Sequence, residues 1–210
     1  MIAHEVKQGS AEWLQMRLGI PTASNFDRIM TPKTRKASGQ AAGYMHELLA
    51  ERLLGHPLEE SSGSGITPLM QRGNLLELEA VKAYEFERDV DTEPGGFILS
   101  DSGLYGASPD RLVGADGLLE VKCVSAKNHV AAMLGCNDDD HVSQCMGQML
   151  VSGRKWVDNL FYNPVLPSHI VRISRDLSYI GQLQMHLDAF CSQLEREFTR
   201  LKAMPGVIRG

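Results

Sequence analysis

The chain has 210 residues, 43% of them hydrophobic and 22% charged, with a formal net charge of −5. This composition predicts one globular domain with a full apolar core, and it excludes disorder as the main state. No apolar run reaches the ~18–20 residues of a membrane helix, and Met1-Ile2-Ala3-His4-Glu5 shows no basic-then-apolar leader, so the expectation is a soluble cytosolic protein without a membrane partner.

In chain order, Ser10 is placed to cap an amphipathic turn set over 11–18 that Gly19 ends. Thr22 is placed to cap a second helix over 23–30, and a polar, basic loop follows over 31–39. Tyr44, Leu48, Leu49, Leu53 and Leu54 keep helical spacing until Gly55-His56-Pro57 stops them. Ser61-Ser62-Gly63-Ser64-Gly65 reads as a short linker, and Thr67-Pro68 opens a helix to about Arg88. The period then changes. Gly96–Leu99, Leu104–Ala107, Arg111–Val113 and Leu118–Cys123 read as short strands, with a hairpin turn at Gly114-Ala115-Asp116-Gly117. A helix opens at Asp138 and runs to Val151, strands follow near 156–162 and 169–173, and a last helix spans about 176–202. The expected fold class is α/β: a central mixed β-sheet flanked by helices, in a single domain over 1–210 with a helical part to about 90 and a sheet over about 95–175. The four cysteines Cys123, Cys136, Cys145 and Cys191 form no C-x-x-C pair, so they are expected to be reduced thiols rather than a zinc or disulfide framework.

The chemistry concentrates at Ser108-Pro109-Asp110, the hairpin, and Glu120-Val121-Lys122. Strand side chains alternate, so Glu120 and Lys122 share one face while Leu119, Val121 and Cys123 share the other. A charged pair inside an apolar strand is costly unless it faces a cleft or a partner. The hairpin folds Asp110 back to the same strand end, so two carboxylates and one ammonium converge. Paired carboxylates suit Mg²⁺, which keeps several waters and takes one or two protein carboxylates beside a substrate phosphate. A bound metal offsets phosphoryl charge and acidifies its water. Lys122 is placed to orient or help deprotonate that water and to neutralise developing charge. Glu77 lies on the preceding helix, with the small or apolar Gly73, Asn74, Ala80 and Val81 as helical neighbours, and is a further candidate carboxylate. Taken alone, a D…E-x-K pattern is more often a solvated hairpin face, and Glu77 alone a surface acid.

Ser-Pro-Asp, a hairpin and Glu-x-Lys, preceded by Arg72-Gly73-x-x-x-Glu77 on a helix, resemble the PD-(D/E)xK nuclease superfamily with its restriction-endonuclease-like core. More narrowly they resemble the lambda exonuclease and YqaJ-type viral recombinase family. The resemblance extends to the opening Gln8–Ser24 stretch, with its Gly, Trp, Arg-Leu-Gly and Thr-Ala-Ser, and to Ser143-Gln144-Cys145-Met146-Gly147-Gln148-Met149. It implies metal ligation by Asp110, Glu120, the Val121 carbonyl and Glu77, with Lys122 as the catalytic lysine. It also implies a pocket for a DNA 5′-phosphate formed by Arg17, Ser24, Ser108 and Gln144, with Gln148 in reserve one turn on. An arginine fork and neutral hydroxyl and amide donors suit a phosphate. The segment 123–137 finds no counterpart in the family motifs.

Other features carry weaker signals. Lys33, Arg35 and Lys36 are either contacts to a DNA backbone or a solvated basic loop. Ile66–Met70 is either an exposed apolar tip that acts as a strand-separating wedge, with Met70 a candidate DNA contact, or core packing. Asp138-Asp139-Asp140 fits a helix N-terminus. The seven histidines show neither ligand spacing nor a nucleophile partner.

The resemblance implies a Mg²⁺-dependent exonuclease, with Mn²⁺ able to substitute. It would digest one strand of linear double-stranded DNA from the 5′ end to mononucleotides and leave a 3′ single strand for annealing. It implies a ring-shaped homotrimer, a single-strand annealing recombinase as partner, and a phage or prophage origin in the bacterial cytoplasm. The net charge argues weakly against general nucleic-acid binding, but a basic channel on an acidic body is compatible with it. The rival expectations are an endonuclease of the same superfamily and a catalytically silent DNA-binding protein.

Overall fold

The computed structural model describes residues 2–58, 68–136 and 141–206. Its elements in chain order are β1 (Ile2–His4), α1 (Ala11–Arg17), a 3-10 helix (Ala23–Arg28), α2 (Ala41–Leu54), α3 (Pro68–Arg88), β2 (Thr92–Pro94), β3 (Phe97–Leu99), β4 (Gly106–Ala107), β5 (Arg111–Val113), β6 (Gly117–Cys123), α4 (Ala126–Met133), α5 (Val142–Ser152), β7 (Trp156–Tyr162), β8 (His169–Ser174) and α6 (Leu177–Lys202). Local chemistry sets several ends. The Ser10 hydroxyl accepts from the Trp13 N–H and caps α1, Gly55 closes α2 in the left-handed region at φ 73°, and Asp176 accepts from Ser178 and Tyr179 to cap α6.

The strands form two sheets rather than the single one expected. A mixed five-stranded sheet has the order β2-β5-β6-β7-β8, and a small sheet has the order β1-β3-β4. All pairings are antiparallel except β6–β7, which is parallel in the register Glu120↔Asn159. Parallel neighbours need a long crossover, and here it carries α4 and α5.

The alternation expected along β6 is present and decides the layering. Leu118 packs into a core with α2, α5 and α6. Leu119, Val121 and Cys123 pack on the opposite face with Ala80, Val81 and Tyr84 of α3. Leu183, Leu187, Phe190 and Leu194 of α6 are buried in the first of these cores.

Other expectations are corrected. The segment after Thr22 is a 3-10 helix, and the Thr22 side chain makes no cap bond. Its first turn closes by Asn25 N–H to the Thr22 carbonyl at 2.8 Å, and Phe26 packs where a Cβ on Gly147 would stand. β1, β2 and α4 were not expected. β1 is too short to show a period, and Pro94 argues against a strand. β2 tolerates that proline because it is the sheet edge. α4 is capped by Ser125. α5 begins at Val142, while Asp138–Asp140, the linker at 61–65 and Ile66-Thr67 lie outside the described residues.

One polar network is centred on a buried carboxylate in the α3 layer. Asp158 is fully buried and takes a fork from Arg172 at 2.7 and 2.8 Å, and the Tyr84 hydroxyl at 2.8 Å. Arg172 also stacks on Trp156 at 3.7 Å. Arg172 is half exposed but Asp158 is fully buried, so removing the arginine strands a buried carboxylate. Arg172→Ala should therefore cost about 2 kcal/mol in a chemical denaturation. Arg172→Ala combined with Asp158→Asn should recover much of that loss. Equal losses in the single and double variants would show that the stranded charge is not the cause.

Candidate active site

The hairpin β5–β6 brings the predicted acidic residues together. Asp110 immediately precedes β5, and Arg111 pairs with Leu119, so Asp110 falls beside Glu120. The Asp110 Oδ2 accepts the Val121 N–H at 2.7 Å. Upstream, Gly95 leaves room for the Pro109 carbonyl, which any Cβ would strike, and Gln8 donates to the same carbonyl at 3.0 Å.

Glu120 is only 4% exposed. Its Oε1 accepts from Lys122 Nζ at 2.7 Å and Gln144 Nε2 at 2.6 Å, and its Oε2 accepts from Gln148 Nε2 at 2.6 Å. Lys122 also donates to Gln144 Oε1 at 3.2 Å. α5 thus delivers two glutamines, one turn apart, onto one carboxylate.

The electrostatics follow from crowding. Burial, then Glu120, holds the Asp110 carboxyl well above the ordinary carboxylate range, with Glu77 adding to it against the Val121 N–H and Lys122. Burial and Glu120 also push Glu77 up, while Arg111 opposes them. For Lys122, burial pulls the ammonium down, but Glu120 and Asp110 outweigh it and leave it raised. Burial and Glu120 push the neighbouring Cys145 thiol up as well. Asp110 and Glu120 therefore share the Lys122 ammonium in a poorly solvated place, with Glu77 adding to their field, an excess of negative charge that a divalent cation would relieve. Among the described residues no three His, Cys, Asp or Glu side chains converge as a metal cage. The donor set fits Mg²⁺, which needs one or two carboxylates and keeps its waters. Glu77 comes from the α3 layer and contributes to the field of Asp110 and Glu120.

The residues predicted to bind phosphate divide into two groups. Arg17 stacks on the Trp13 ring at 3.9 Å and donates to Thr22 Oγ1 at 3.3 Å, and Thr22 Oγ1 lies 3.3 Å from Ser24 Oγ. Burial lowers the Arg17 guanidinium from its ordinary value. Arg17 lines a cleft of about 560 Å³ with Trp13, Thr22, Asn25, Arg28, Tyr44 and Glu47, among others. Ser24, Ser108 and Gln144 are not part of that lining. Ser108 joins the two groups by accepting from Trp13 Nε1 at 2.7 Å. Gln144 sits with Glu120 and Lys122 rather than with Arg17.

Arg35, a candidate DNA contact, pairs with Asp176 at 3.0 Å and stacks over Tyr179 at 5.1 Å. Lys33 and Lys36 are both exposed. The Met70 and Arg72 side chains lie outside the described residues. Sequence reasoning quoted Trp13 only as part of a motif and gave Gln8 no role. Residue type alone gave no signal that Trp13 would reach Ser108, 95 positions away. For Gln148 the signal was there, as one helical turn from Gln144.

The chain belongs to the YqaJ-like viral recombinase family, whose domain its residues 12–155 match. It is similar to the crystal structure of an alkaline exonuclease, LHK-Exo, from Laribacter hongkongensis, at 34% identity and a TM-score of 0.80 over 92% of this chain and 96% of that one. The structure of LHK-Exo in complex with dAMP gives the same figures. A phage-related exonuclease from Haemophilus somnus 129PT shares the fold at a TM-score of 0.67 and 15% identity, covering 86% of this chain and 96% of that one. Comparison with curated proteins gives no match. The expected family and the expected mixed sheet flanked by helices are thereby established. No helix among the described residues is long and apolar enough to cross a membrane.

Trp13→Phe keeps a ring under Arg17 but deletes the N–H that holds Ser108. It should lower the unfolding free energy by about 1 kcal/mol, and Trp13→Leu, which also loses the aromatic face, should lower it further. Identical denaturation midpoints for Trp13→Phe and the parent would show that the bond to Ser108 contributes nothing.

Proposed function

We propose that the protein is a Mg²⁺-dependent 5′-to-3′ exonuclease that degrades one strand of linear double-stranded DNA to mononucleotides and leaves a 3′ single strand for annealing. The observation that carries the reading is the convergence of Asp110, Glu120 and Lys122 around a buried hairpin end, in a chain of the YqaJ-like viral recombinase family. The similarity to LHK-Exo supports an exonuclease, and dAMP, the nucleotide in its complex, belongs to the class of product that mononucleotide release yields.

Asp110, Glu120 and the Val121 carbonyl would hold the metal, with Glu77 adding negative field. Bound there, Mg²⁺ would supply charge neutralisation at the scissile phosphate and an acidified water. The chain's own groups do the rest. Lys122 sets a positive charge next to Glu120, where it orients the attacking water and offsets charge on the phosphoryl oxygens. Gln144 donates to Glu120 and accepts from Lys122, and so ties the two together. Arg17, on its Trp13 support, offers a guanidinium fork to the terminal 5′-phosphate, with Ser24 and Ser108 as neutral donors. Lys33 and Lys36 would meet the DNA backbone. The reading includes a homotrimeric ring, a single-strand annealing recombinase as partner, and a phage or prophage protein working in the bacterial cytoplasm.

The test is digestion of a linear duplex labelled at the 5′ end of one strand and the 3′ end of the other, beside a closed circle. The 5′ label should leave first, as mononucleotide, with the circle intact. Chelation should stop the reaction, and Mg²⁺ or Mn²⁺ should restore it. Lys122→Met should lower turnover at least about a hundredfold, and Arg17→Ala should erase the preference for 5′-phosphate over 5′-hydroxyl ends. Cleavage of the circle would instead indicate an endonuclease.

A further inference from the structure

Gln148 is 1% exposed and lies in the core behind the site. Packing does not explain a glutamine there. Its Oε1 is buried with no hydrogen-bond partner among the described residues, and an unmatched buried acceptor costs stability that a methionine of similar shape would not. What the side chain does accomplish is a 2.6 Å bond from Nε2 to Glu120 Oε2.

Counting donors around Glu120 gives that bond a meaning. Each carboxylate oxygen offers about two lone-pair sites. Oε1 receives both Lys122 and Gln144 and is filled, while among the described residues Oε2 receives Gln148 alone. One site therefore remains open, and it belongs to Oε2. On the other carboxylate, Asp110 Oδ2 is engaged by the Val121 N–H. α5 is itself pinned by Phe26 against Gly147, the residue next to Gln148, so the glutamine is supplied from a backbone that cannot easily shift. Ser152 Oγ further bonds the Gln148 carbonyl at 2.6 Å.

We propose that Gln148 is a positioning residue that fixes the rotation of the Glu120 carboxylate and leaves a single Oε2 lone pair open to the divalent cation. The proposal rests on the metal-dependent nuclease reading. Without Gln148, Lys122 and Gln144 still hold Oε1, but Oε2 is free to turn, and the cation must order it on binding. Partners that orient a metal ligand typically change metal affinity 10–100-fold.

The experiment measures Mn²⁺ binding to the DNA-free protein by titration calorimetry, beside steady-state digestion of linear duplex DNA. Gln148→Met keeps the length and removes the donor. Gln148→Asn keeps a buried amide but is one methylene short of Glu120, and it serves if the methionine variant does not fold. Either variant should weaken Mn²⁺ binding at least about tenfold. It should also lower kcat while the KM for DNA stays within about twofold. Parental Mn²⁺ affinity in the folded variants would overturn the proposal while leaving the nuclease reading intact. A parent protein that neither binds Mn²⁺ nor cleaves DNA would overturn both.

Discussion

Glu120 has almost no access to water, yet it carries a carboxylate in the middle of a largely apolar strand. A buried charge has to be met by protein donors or it does not stay charged. Three side chains meet this one, and all three constrain the fold. Lys122 comes from the same strand face two residues on. Gln144 and Gln148 come from α5, so that helix must lie across the β6 face at fixed height and rotation. Gly147 admits Phe26 of the 3-10 helix between them. The helical N-terminal segment is thereby seated against the same α5 that serves the carboxylate.

The seating continues through Trp13. Its indole reaches Ser108 Oγ with one edge and carries Arg17 on its face. Ser108 is two residues from Asp110, and Gln8 holds the Pro109 carbonyl between them. A short, mostly polar path therefore runs from the Arg17 cleft to the carboxylates, spanning nearly a hundred positions of sequence. Two sites joined by a rigid aromatic keep their separation. Such fixed spacing is what an enzyme needs if a terminal phosphate is gripped in one place and a phosphodiester is hydrolysed in another.

What was legible in the sequence was whatever a period or a cap encodes. The β6 alternation, the hairpin at 114–117, the Ser10 cap and the Gly55 stop all depend on a few neighbouring residues, and the structure shows each of them. The carboxylate–lysine convergence was legible for the same reason, because a tight hairpin leaves little freedom in where Asp110 goes. β2 was hidden because Pro94 is acceptable only at an edge, and edges are decided by the whole sheet. The 3-10 form of 23–28 was hidden because packing of Phe26 on Gly147, more than propensity, selects it. Helical spacing placed Gln144 and Gln148 on one face, but it could not say that this face would meet Glu120 rather than a phosphate.

Charge composition was the least informative signal, and the structure shows why. Many of the arginines are already matched internally: Arg28 by Glu47 at 2.6 Å, Arg35 by Asp176 at 3.0 Å, Arg52 by Glu195 at 2.6 Å and Arg172 by Asp158 at 2.7 Å. Such cations hold elements together and contribute little field at a distance. Arg17 is held differently, by a π face and a threonine hydroxyl, with Glu51 acting on it through space. Burial also makes that guanidinium poorly hydrated, so it surrenders less solvation when it meets an anion. A net charge of −5 sums over matched and unmatched groups alike. What a polyanion meets at short range is the unmatched set, because beyond a Debye length of ~8–10 Å the remaining surface is largely screened. An acidic chain can thus present a cationic contact to a DNA end, and which cations take part is decided by who their neighbours are.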